Sequence, residues 1–76
     1  MNKKKRAKLD KASSLLGEAR DIVGSVRDDE QYDLGNIPEN LQDSERYSAM
    51  EDAVDALDEA IDNIEQAQKN IEQACQ

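Results

Sequence analysis

A chain of 76 residues with 37% charged residues, no His, Phe or Trp, one Pro and three Gly has little material for a sheet core and suits long amphipathic helices. Without histidine a Cys/His mechanism is excluded, and the single thiol, Cys75, has no partner for an internal disulfide. Formal net charge is -8, divided into +5 over residues 1–11, where Lys3, Lys4, Lys5, Arg6, Lys8 and Lys11 oppose only Asp10, and -13 over the rest.

Residues 1–8 form a basic arm. With two tyrosines as the only aromatics, base stacking has few platforms and direct nucleic-acid binding is not expected. The arm is expected instead to solubilise the chain and to dock beside the C-terminal end of the second helix, near Glu65 and Glu72. No apolar run has the length of a signal peptide or membrane span, which leads us to expect a cytoplasmic protein without a membrane partner.

Residues 9–30 are predicted as helix 1. The spacing Leu9, Ala12, Leu16, Ala19, Val23, Val26 alternates 3 and 4 and turns one face inward, with Leu15 and Ile22 widening the stripe. Ser13, Gly17 and Gly24 add a strip of small residues that is either a close helix contact or a set of tolerated weak positions.

Residues 31–43 are predicted as the connection, because Gly35, Asn36 and Pro38 interrupt the helical pattern. Pro38 suits the start of one helical turn through Gln42, and Asp43 or Ser44 is the candidate cap of the second helix. Ile37 and Leu41 are expected to fold back over the open end of the hairpin.

Residues 44–75 are predicted as helix 2, from the 3-4 alternation of Tyr47, Met50, Val54, Leu57, Ile61, Ile64, Gln68, Ile71 and Cys75. Gln68 is polar at a seam position, so it either fixes register or reaches solvent near the helix end. Alanines recur at 53, 60, 67 and 74 along one edge.

Laid antiparallel, the two segments suggest one register. Leu9 meets Ile71, Leu16 meets Ile64, Ala19 meets Ile61, Val23 meets Leu57 and Val26 meets Val54. In that register Leu15 covers Ala67 and Ile22 covers Ala60, while Arg27 lies near Glu51, Arg20 near Asp58 and Arg6 near Glu72. The expected fold is all-α: an antiparallel two-helix hairpin, coiled-coil-like, dimerising into a four-helix bundle. Dimerisation is expected because so short a hairpin offers too little apolar surface to offset its ordering entropy.

The carboxylates Glu51, Asp55, Asp58, Asp62 and Glu65 share one edge of helix 2. They are a solvated face that meets the arginines, or a row that imitates nucleic-acid phosphates and occupies a basic surface on a protein partner. No histidine stands beside them, so a carboxylate metal centre is not expected. Asp28 to Asp33 departs from a calcium loop at Glu30, Tyr32 and Asp33. With no nucleotide, zinc or hydrolase motif, neither an enzyme nor a cofactor is expected.

Asn36, Ile37, Pro38, Glu39, Asn40, Leu41 and Gln42, followed by Ser44, Glu45, Arg46, Met50 and Glu51, form a pattern, N-x-P-E-N-L-Q and its continuation. It resembles one in small acidic helical-hairpin proteins of Gram-positive bacteria and their phages or mobile elements. The resemblance spans residues 30–74 and implies a hairpin without enzymatic activity; it transfers no functional residue.

Overall fold

The computed structural model describes all residues, 1–76, as two long α-helices joined by one short turn, with no strand. Helix α1 runs Lys3–Gly35 and helix α2 runs Glu45–Ala74. They lie antiparallel in a rod of 59 × 15 × 13 Å: Arg20 pairs with Glu65 and Arg27 with Asp58, so one chain direction ascends as the other descends.

Helix α1 is longer than the predicted 9–30 at both ends. At its start the Asn2 side chain accepts the Lys5 backbone N–H at 2.8 Å, so the basic segment is helical. At its end the helix passes through Gln31 to Gly35, and the Asn36 side-chain amide donates to the Tyr32 carbonyl at 3.1 Å. Helical geometry then stops, because the residue preceding Pro38 is disfavoured in the α region. A single 3-10 turn, Glu39–Leu41, follows Pro38. Ser44 caps α2 by accepting the Tyr47 N–H at 3.1 Å.

Over the turn, Ile37 is half-buried, whereas Leu41 stays 51% exposed and does not fold back over the hairpin end.

The inward face of α1 also departs from the expected seam. Val26 is 50% exposed, and beyond the half-buried Val23 and Gly24 the half-buried positions of α1 are Arg27, Glu30 and Leu34, which follow Val23 at spacings of 4, 3 and 4. Arg27 takes the seam position by laying its aliphatic stem along the interface while its guanidinium reaches the edge. The inward face therefore reaches Leu34, inside the segment predicted as the connection, bridged by the stems of Arg27 and Glu30. The contact is thin, since Val54 is the only buried residue of the chain.

Candidate functional site

The two edges of the helix–helix contact differ in chemistry. On one edge Arg27 Nε donates to Asp58 Oδ1 at 2.7 Å, and its Nη1 donates to Asp28 at 3.4 Å. The guanidinium pKa is raised above the ordinary arginine value, first by the hydrogen bond to Asp58 and then by that carboxylate's charge, with desolvation opposing and Asp28 adding to the rise. One heptad nearer the α1 start, Arg20 Nε and Nη2 reach Glu65 Oε1 at 3.1 and 3.0 Å.

Both partners differ from the expected ones. Asp58 stands seven residues past Glu51, the partner expected for Arg27, and Glu65 stands seven past Asp58, the partner expected for Arg20. Side chains on a helix lean toward its N-terminus, so across an antiparallel pair an arginine and its carboxylate lean toward each other along the axis and join residues whose backbones are not level. Gln68, expected opposite Ala12, reaches the carbonyl of the adjacent Ser13, so the change of ion-pair partners does not displace the seam.

The basic segment makes no ion pair with the end of α2, where it was expected to dock. Residues 1–8 are all exposed, and Arg6 forms no ion pair. Leu15 and Ile22, expected to cover Ala67 and Ala60, remain largely open. Their side chains are 54% and 67% exposed, while Ala60 and Ala67 are half-buried. Leu15 and Ile22 are not buried inside the hairpin.

Gln68 crosses the interface, its Nε2 donating to the Ser13 carbonyl at 3.2 Å. Gly17 provides the room: a Cβ there would stand 3.4 Å from that amide nitrogen, whereas a Cβ at Gly24 would meet nothing within 4 Å. Of the small-residue strip, only the Gly17 end is a close contact. Beside it an open groove of about 450 Å³ is lined by Ser13, Arg20, Glu65, Gln68 and the half-buried free thiol of Cys75, among others. Its charges are mixed and partly satisfied by one another, and no cluster of His, Cys, Asp or Glu could hold a metal ion.

The acidic row is divided by the same geometry. Asp58 and Glu65 are held by arginines, while Glu51, Asp55 and Asp62 are exposed and form no ion pair. The other edge of the hairpin carries no ion pair. Leu15, Ile22 and Val26 stand exposed along α1, and the alanines of α2 line the same side of the contact, opposite the Asp58 and Glu65 edge. No helix is long and apolar enough to cross a membrane. Comparison with protein-family models, with curated proteins and with solved structures finds no match to this chain.

Proposed function

We propose that the chain is a non-enzymatic assembly module whose hairpin self-associates, two copies forming a four-helix bundle. The amount of surface left open carries this reading. The hairpin exposes 5843 Å², about 1,200 Å² more than the roughly 4,650 Å² that a compact protein of 8.5 kDa presents. A stable protein–protein interface takes up about 800 Å² per partner, so the excess is of the size that one self-contact removes. The exposed Leu15, Ile22 and Val26 put apolar groups on that surface. Sedimentation equilibrium at low micromolar concentration is expected to give twice the 8.5 kDa chain mass. A folded monomer by circular dichroism and sedimentation overturns the assembly role.

A second reading rests on the three free carboxylates. Glu51, Asp55 and Asp62 lie along the outer edge of α2, about 6 Å and about 10 Å apart along the axis. A row of this kind fits a basic groove that otherwise takes nucleic-acid phosphates. Under this reading the protein blocks such a groove, its binding competes with duplex DNA, and Asp55→Asn with Asp62→Asn abolishes it without changing helix content. Binding that survives the double substitution eliminates phosphate mimicry.

A further inference from the structure

The exposed stripe on α1 is bracketed by opposite charges. Leu15, Ile22 and Val26 fall within a narrow arc at about 100° per residue, all at least half exposed. Continuing that arc toward the helix start leads to Lys8 and Lys11; continuing it toward the end leads to Asp29 and Asp33. All four are exposed, and none forms an ion pair within the chain. A face that is basic at one end, apolar in the middle and acidic at the other is complementary to itself turned end for end.

The spacing supports that inversion residue by residue. About a midpoint between Arg20 and Asp21, Leu15 exchanges with Val26, Ala19 with Ile22 and Lys8 with Asp33. Lys11 falls within one residue of Asp29. A twofold axis perpendicular to two antiparallel helices brings the same flank of each helix together, so Lys11 and Asp29, which share a flank, meet across it. Large residues then oppose medium or small ones, and no like charges meet.

We infer that the occupant of this face is a second copy of the chain, with α1 packed antiparallel on the partner's α1, Leu15 against the partner's Val26 and Lys8 opposite the partner's Asp33. This rests on the assembly reading above and adds to it a face, a direction and a register. The opposite edge, closed by Arg20 and Arg27, is left to the intrachain contact. A parallel dimer through the same face would stack Lys8 on Lys8 and Asp33 on Asp33, and the charge pattern disfavours it.

Cross-linking decides the register. In a Cys75→Ser background, Leu15→Cys and Val26→Cys chains of different tagged mass are mixed and mildly oxidised. Bridgeable cysteines have Cα atoms within about 7 Å, whereas two Leu15 positions in the antiparallel pair are separated by about 16 Å along the axis. The mixture is expected to give the mixed-mass disulfide dimer, and neither chain alone is expected to give its own. In the unlinked full chain, Lys8→Glu with Lys11→Glu is expected to weaken dimerisation about tenfold. Adding Asp29→Lys and Asp33→Lys is expected to restore it. These positions are exposed, so circular dichroism should stay that of the parent.

The outcomes separate cleanly. Parent chain that sediments as a folded monomer overturns the assembly reading and this inference with it. A parent dimer in which Leu15→Cys links to itself overturns the antiparallel arrangement alone. A parent dimer that links in neither way, and whose affinity ignores the charge reversals, places the interface on another face and overturns this assignment while leaving assembly standing.

Discussion

The two edges of the hairpin are made from similar helices and reach opposite ends. On one, Arg20, Arg27 and Gln68 send polar groups across to Glu65, Asp58 and the Ser13 backbone. On the other, Leu15 and Ile22 reach no such partner and stay largely in water. The difference comes from stem length and terminal chemistry. Long side chains with donors can bridge the gap beside a helix seam and fix its register, whereas a branched aliphatic side chain gains only where a surface closes over it. The polar edge thus ties the chain to itself, and the apolar edge is left open to water.

Both edges depend on the seam between them, and Val54 is its one buried side chain, at 5% exposure. Val54→Asp places an unpaired carboxylate there at a cost of several kcal/mol. That is a large share of the stability of any small domain. The expected outcome is loss of a cooperative thermal transition and of most helical signal by circular dichroism. Native-like melting of this variant would show that the seam does not hold the edges together. Next in size is the apolar edge alone. Leu15→Glu with Ile22→Glu is expected to raise the dimer dissociation constant at least about 100-fold, equivalent to about 2.7 kcal/mol. The polar-edge pairs remain, so helix content should be recovered at high concentration; sedimentation and circular dichroism together check both parts.

Much of this molecule was legible in the sequence. Heptad spacing located two helices, and Ser44 was a visible cap. The helix end at 30 was misplaced because apolar residues were counted and aliphatic stems were not: Arg27, Glu30 and Leu34 carry the inward face on while Val26 turns outward. The ion-pair partners were harder to see, since Arg20 and Arg27 each have carboxylates seven residues apart on α2 to choose from, and the lean of long side chains along the axis decides between them. Gln68 carried legible information, because an amide at a seam position needs an acceptor, and Ser13 lies one turn before the glycine that lets it approach.

Two interior glycines of α1, Gly17 and Gly24, sharpen the contrast within the polar edge. At Gly24 an added Cβ meets nothing within 4 Å, so Gly24→Ala is expected to stabilise by about 1 kcal/mol through helix propensity alone. At Gly17 the Cβ would stand 3.4 Å from the Gln68 amide. Gly17→Ala is therefore expected to gain less, because the same propensity is offset by crowding of the Gln68–Ser13 bond. Melting curves at one fixed chain concentration compare them directly. Equal gains would mean that Gln68 is not held against α1.

The smallest expected effect belongs to the Arg20–Glu65 pair, whose side chains are 44% and 41% exposed. Solvent screening at that exposure limits such a pair to about 0.2 to 1 kcal/mol, so a double-mutant cycle of Arg20→Ala and Glu65→Ala should return a coupling in that range that falls with added salt. Arg27 should couple more strongly to Asp58, through the shorter bond of 2.7 Å from a side chain only 30% exposed. Its guanidinium pKa is raised in the folded state. The stability linked to that shift is therefore fully present below the unfolded value and is lost only as pH rises through the folded one, in strongly alkaline solution. Near neutrality the guanidinium adds no pH dependence, and salt is the way to probe both pairs. A coupling larger at Arg20 than at Arg27 would mean that the pair nearer the groove, and not the one nearer the turn, sets the alignment of the hairpin.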